Sequence, residues 1–174
     1  MSSADIAGIA GTTKVSGPAL LWSGHPHLYG AVTHKAPADA AYEFVLTSLT
    51  GPRIRAAQGL DGVFIAARRA WVERIGFDPG GVSGFHFYDL DFSYRGYLAG
   101  ARLEIACDLA LVHQSRGRRD TAWSLAQAAF NQKFPQLNAP AGRHSHWYAT
   151  PLPDMDAVTS HYAKLWAAWN LRLT

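Results

Sequence analysis

The chain contains very little of what stabilises small proteins by covalent cross-links. Among its 174 residues there are one cysteine and two methionines. A single cysteine excludes a disulfide framework within the chain, and its apolar neighbours predict a buried thiol. No apolar run approaches 18 residues, so no segment is predicted to cross a membrane. We therefore expect a fold that depends on an ordinary hydrophobic core.

Charge is also sparse, and neither sign dominates. Charged residues make up 17% of the chain and hydrophobic residues 48%, with a net charge of +3. This composition predicts one globular domain over residues 1–174 and excludes a disordered chain. The arginines are scattered except for a cluster at Arg116, Arg118 and Arg119. The cluster weakly favours an anionic ligand, but it is too small to predict nucleic-acid binding.

A central stretch from Leu60 to Gly117 contains most of the recognisable patterns. Leu60–Ala67 and Leu103–Val112 are typical of buried strands, and Arg68–Ile75 of a short helix capped by Gly76. A glycine-rich loop and a second helical pattern lie between them. The order strand, helix, loop, helix, strand predicts an α/β fold with a mixed sheet flanked by helices.

The second helix begins with two acids, Asp89 and Asp91. Because two residues turn a helix by about 200°, the two carboxylates point about 160° apart and cannot act as a pair. The helical pattern places one apolar stripe at Phe87, Leu90, Tyr94 and Leu98. We expect Asp89 to face a cleft with Asp61 and His113, and Asp91 to pair with Arg95 or a loop. A structural acid in a helix first turn is the alternative for Asp89.

The order of these motifs resembles the second half of GT-A glycosyltransferases, most closely the inverting enzymes of the family 2 type. The motifs are Asp61-Gly62 before an apolar run and two arginines, Gly76-Phe77-Asp78, Tyr88-Asp89-Leu90-Asp91, and His113 followed by Ser115 and Gly117. A helix with a Trp, a Phe and a Lys follows at 122–134, as in that family. The resemblance covers residues 5–135 and leaves 136–174 as a C-terminal strand and helix extension.

The resemblance implies transfer of a sugar, with inversion, from a nucleotide-sugar donor to an acceptor hydroxyl. Asp89 would be the catalytic base, and His113 a ligand of a divalent metal such as Mn²⁺ or Mg²⁺. The donor is expected to be a UDP-sugar, and the acceptor a carbohydrate or a lipid-linked molecule. The alternative for His113 is a histidine hydrogen-bonded to the backbone.

Further residues are candidates for substrate contacts. Ser115, Arg116 and Arg118 would hold the diphosphate, although a merely solvated basic loop is the alternative. Asp61 would line the sugar or acceptor pocket, unless it caps a turn or pairs with Arg68. The remaining candidates are aromatic and are otherwise typical of a core: Trp22, His86 and Tyr88.

The resemblance begins at Asp5, one strand into the pattern, and no strand-borne Asp-x-Asp precedes it. We therefore expect these residues alone to lack the nucleotide-binding half, to transfer no sugar, and to self-associate through an uncovered first strand. The first residues show no basic segment followed by an apolar one, which favours a cytoplasmic protein, with peripheral membrane association left open.

Two other functions remain open. One is a non-catalytic carbohydrate-binding or assembly module derived from the same fold. The other is a metal hydrolase that uses the histidine pairs His25-x-His27 and His144-x-His146.

Overall fold

The computed structural model describes residues 4–17, 27–35, 41–47, 51–78, 85–114, 119–139 and 148–170. The strands of this part of the chain are β1 (Ile6–Gly8), β2 (Ala10–Thr12), β3 (Leu28–Lys35), β4 (Tyr42–Leu46), β5 (Arg53–Arg55), β6 (Gly59–Leu60), β7 (Ile65–Ala67), β8 (Leu103–Ala106), β9 (Val112–His113) and β10 (Tyr148–Leu152). The helices are α1 (Arg69–Ile75), α2 (Tyr88–Leu98), α3 (Thr121–Lys133) and α4 (Met155–Asn170).

The strands form two sheets. The smaller sheet has the order β5-β8-β1-β7, with β1 parallel to β8 and antiparallel to β7. The larger sheet has the order β10-β4-β3-β2-β6, and β9 pairs in parallel with the C-terminal half of β3. The expected mixed α/β architecture is confirmed.

The first strand connects the two sheets. Strands β1 and β2 are separated only by Ile9, yet they belong to different sheets. Strand β1 is paired on both sides, so the expectation that it exposes an unpaired edge is wrong. Gly11 is required in β2 because a Cβ there would collide with the carbonyl oxygen of Gly59.

The largest core cluster lies between the sheets and α4. It includes Ile6, Phe44, Leu60, Phe92, Ile105, Tyr162 and Trp169. Helix α4 buries Val158, Tyr162, Leu165 and Trp169 at helical spacing, whereas Trp166 is exposed. Cys107 is buried as expected, and burial raises the pKa of its thiol to about 12. Among the described helices, none is both long enough and apolar enough to cross a membrane.

Helix α2 packs on both sides. Phe92 belongs to the main core, whereas Phe87, Leu90 and Tyr94 pack against α3 in a second cluster. The predicted stripe is therefore confirmed for three residues, and Leu98 is exposed instead. A helix with two apolar sides has little freedom to rotate about its axis.

Both long strands predicted for the central stretch are interrupted. Residues 61–64 form a turn between β6 and β7, so Leu60–Ala67 is two short strands. Strand β8 ends at Ala106, and a turn at 107–108 follows, where Asp108 forms an ion pair with Arg53. In each case an aspartate inside an apolar run makes polar contacts that continuous pairing would prevent.

Asp91 is the centre of a buried ion-pair network. Its side chain is 3% exposed, and its two oxygens lie 2.7 Å from Arg95 Nε and 2.6 Å from Lys133 Nζ. Arg95 also donates to the carbonyl oxygens of Ile75 and Gly76, and Lys133 reaches Asp78. The predicted pairing of Asp91 with Arg95 is present, and the network ties α2 to the end of α1 and to α3.

Replacement of Asp91 by alanine is expected to destabilise the fold strongly. Removing one partner of a buried ion pair leaves its neighbours uncompensated and costs about 3–5 kcal/mol. The free energy of unfolding in urea measures this loss. Glu73→Gln is the matched control, because its helical pair with Arg69 is exposed and is worth only about 0.5 kcal/mol. Equal stability losses in the two variants would contradict the role of Asp91.

Candidate functional site

The candidate site is built on the turn at residues 61–64. Asp61 donates its backbone N–H to the carbonyl oxygen of Ala10, 3.0 Å away, and its Oδ1 accepts from Val63 N at 2.9 Å. This is an Asx-type turn, in which the side chain replaces a backbone acceptor. The turn leaves the N–H of Gly62 to point out of the sheet. That N–H donates to Asp89 Oδ2 at 2.6 Å, from the first turn of α2.

Asp89 is held where it is by the start of α2. The residue before the helix, Phe87, has a φ of 64°, a left-handed conformation that is rare for a bulky side chain. Such strain costs on the order of 1–3 kcal/mol and is concentrated at functional sites. Here the Phe87 ring is held by packing against Trp123 and Phe130 of α3. Asp89 and Asp91 thus make separate contacts, as their divergence on the helix predicts.

Gly62 is the point where several polar groups converge. A Cβ on Gly62 would lie 2.8 Å from the Tyr88 hydroxyl and 3.0 Å from Asp89 Oδ2. A larger residue would therefore push the phenol and the carboxylate away from the turn. Sequence reasoning did not identify Gly62 as a site residue, although an Asp-Gly pair inside an apolar run is a typical turn signal.

The two carboxyl groups have different environments. Burial, and then the charge of Asp89, raise the pKa of Asp61 to about 7. Burial also raises the pKa of Asp89, but the N–H groups of Leu90 and Gly62 oppose that shift. Both residues are partly buried and keep some solvent contact. Asp89 accepts more backbone hydrogen bonds than Asp61, and these favour its charged form relative to that of Asp61.

Two aromatic candidates border the acids. His86 Nε2 lies 3.6 Å from Asp120 Oδ1, and the charge of a protonated His86 would lower the pKa of Asp89. Burial and the two neighbouring carboxylates raise the pKa of Tyr88. The structure therefore brings together four of the predicted residues: Asp61, His86, Tyr88 and Asp89.

His113 lies in a different part of the larger sheet. It pairs with His34 of β3. Asp61 follows β6, which pairs with β2, and β2 pairs with β3 near Gly30. Four residues of strand correspond to about 13 Å. The described contacts of His113 lead to His34, with ring centroids 5.5 Å apart, and not to either acid. Burial lowers the pKa of His113, and its buried Nδ1 has no hydrogen-bond partner among the residues that the structure describes.

The other predicted contacts lie outside the described residues: Trp22, Ser115, Arg116 and Arg118. The same holds for His25, His144 and His146 of the histidine pairs. His27 is described, and its Nδ1 lies 3.3 Å from the Thr13 hydroxyl. Over the described ranges, no group of three or more His, Cys, Asp or Glu residues is arranged to hold a metal ion.

Comparisons of the chain with protein-family models, with curated proteins and with solved structures find no match. The function must therefore follow from the chemistry of the acids and their neighbours.

The stability of the protein is expected to report the proton on Asp61. Between the ordinary aspartate pKa and about 7 the folded state holds a proton that the unfolded state has lost. The free energy of unfolding then falls as pH rises through this range. Asp61→Asn should remove that fall, so the variant gains stability relative to the parent between pH 5 and 8 in urea titrations.

Asp5→Asn is the control for this measurement. Arg102 hydrogen-bonds Asp5 and holds the pKa of that carboxyl well below its usual range. Its contribution is present above the unfolded pKa and is lost only on acidification, so the difference between Asp5→Asn and the parent should stay constant from pH 5 to 8. A constant difference for Asp61→Asn as well would contradict the raised pKa.

Proposed function

We propose that the chain is the acceptor side of an inverting, GT-A-type glycosyltransferase, with Asp89 as the catalytic base. One observation carries the proposal. The carboxylate of the Tyr-Asp motif lies at the start of α2, held by Gly62 N–H and next to a second acid. A base of this kind must be fixed, partly shielded from water, and open to a hydroxyl group.

The reaction transfers one proton and exchanges one bond. As the acceptor oxygen attacks C1 of the donor sugar, the proton of the acceptor hydroxyl moves to the carboxylate of Asp89. A bond forms between the acceptor oxygen and C1, and the bond between C1 and the diphosphate oxygen breaks on the opposite face of the sugar. The electron pair of the broken bond leaves with the diphosphate. Because attack and departure occur on opposite faces, the configuration at C1 is inverted.

The neighbours of Asp89 suit it to this step. A raised pKa makes the carboxylate a stronger base than an ordinary aspartate, and the backbone donors favour its charged form. Asp61 in its protonated form adds no second negative charge that would repel Asp89. Gly62 N–H donates to Oδ2, and the backbone N–H groups of Leu90 and Asp89 also hydrogen-bond this carboxylate and fix its position.

The divalent metal implied by the resemblance would neutralise the charge of the departing diphosphate. His113 is the proposed ligand, and its buried Nδ1 without a hydrogen-bond partner is compatible with that role. The described residues do not supply a set of three ligands, so no step is assigned to the metal. His113 and the acids are offset by about four residues along the larger sheet.

Asp89→Asn is expected to lower the transfer rate by about 10²–10⁴-fold, because an amide cannot accept the proton. The assay uses the full-length protein as its organism produces it, and follows nucleoside diphosphate release from UDP-sugars in the presence of glycoside acceptors. Asp156→Asn is the matched control, since Asp156 lies exposed in the first turn of α4. A rate for Asp89→Asn equal to that of the parent would exclude the base role.

His113→Ala is expected to weaken Mn²⁺-dependent binding of UDP in calorimetry, because one metal ligand is lost. UDP affinity without Mn²⁺ should change little. Equal Mn²⁺-dependent affinities in the parent and the variant would exclude the role of His113. Loss of Mn²⁺ binding in His25→Ala, but not in His113→Ala, would favour a metal hydrolase instead.

A further inference from the structure

Two phenylalanines next to the acid pair are strongly exposed. The side chain of Phe77 is 58% exposed and that of Phe85 is 78% exposed. Their ring centroids lie 6.2 Å and 5.9 Å from that of Tyr88, and the two rings are tilted against it by 55° and 52°. Phe77 also stacks at 4.8 Å on Phe92, which is buried in the main core. The three exposed or half-exposed rings therefore form an aromatic platform that is anchored to the main core through Phe92.

The aromatic platform, consisting of Phe77, Phe85 and Tyr88, ends at the proposed base. The Tyr88 hydroxyl and Asp89 Oδ2 both lie at the Cα of Gly62, close enough to collide with a Cβ there. Phe85 in turn contacts the ring of His86 at 5.8 Å between centroids. One edge of the platform is thus lined by a phenol, an imidazole and two carboxyl groups.

We propose that the aromatic platform binds the terminal sugar ring of a saccharide acceptor by stacking on its apolar C–H face. The inference rests on the proposed function and specifies its acceptor. Sugar rings combine a flat array of C–H groups with hydroxyls around the rim. Aromatic rings suit the first, and carboxylate and imidazole acceptors suit the second.

Charge at the border of the platform favours a saccharide over other occupants. The carboxyl groups of Asp89 and Asp120 lie along its polar edge, beside Tyr88 and His86. Carboxylates repel an anionic membrane surface, to which a peripheral aromatic patch would otherwise bind. A neutral sugar meets no such repulsion, and its hydroxyl protons can be donated directly to Asp89.

The test measures saccharide binding without any nucleotide sugar. Saturation-transfer difference NMR and calorimetry are recorded with cellobiose, maltose, lactose and methyl α-L-rhamnoside as probes. At least one probe should bind, with the strongest saturation on the C–H protons of one ring face. Phe85→Ala should weaken binding at least tenfold, and Phe85→Trp should retain it. Leu125→Ala is the matched control, because Leu125 is a similarly exposed side chain, at 67%, on α3.

Each outcome bears on the platform or on the proposed function separately. Absence of binding by every probe, or equal binding by Phe85→Ala and the parent, overturns the platform and leaves the effect of Asp89→Asn on transfer unaffected. Phe85-dependent binding to phosphatidylglycerol vesicles, without saccharide binding, also overturns it in favour of a membrane surface. Saccharide binding that depends on Phe85, in a protein without transfer activity, supports the platform and overturns the enzymatic role.

Discussion

The pairing of Asp91 with Arg95 and Lys133 determines the orientation of the rest of the site. Because this carboxylate is buried, α2 can rotate only if a charge is left without a partner inside the protein. The same helix carries apolar residues on both sides, which adds a second restraint of a different kind. With the rotation of α2 fixed, Asp89 on the opposite side is directed at the turn beside Gly62. A structural acid thus positions the acid to which we assign chemistry.

Several features of the candidate site lower the stability of the fold. Phe87 has a left-handed backbone, Asp61 keeps a proton that an exposed aspartate would lose, and the turn interrupts a strand that its apolar residues favour. Local departures from favourable structure of this kind are expected where function demands them. The surrounding clusters hold them in place, since Phe87 packs against α3 and Leu60 lies in the main core.

Periodicity predicted the helices well and the strands poorly. The helix end near Gly76 followed from a capping residue, whose hydrogen bonds are local and therefore readable from the sequence. The turn at residues 61–64 has a local signal in its Asp-Gly pair, but the contact of Gly62 with Asp89, 27 residues later, cannot be read from that signal. The separation of His113 from the acids depends on strand register, which a single sequence does not specify. The platform was missed in part, since only Tyr88 of its three rings was singled out.

The lone thiol next to β8 offers a consequence of another kind. Cys107 is the one cysteine of the chain, and its pKa of about 12 leaves almost no thiolate at neutral pH. Disulfide-exchange reagents attack thiolates, so the folded protein should be almost inert towards them. Reaction would require the turn after β8 to open and admit water, because only then does the thiol ionise normally. Each molecule would be modified once, at Cys107, and the rate of modification would measure how often the smaller sheet opens.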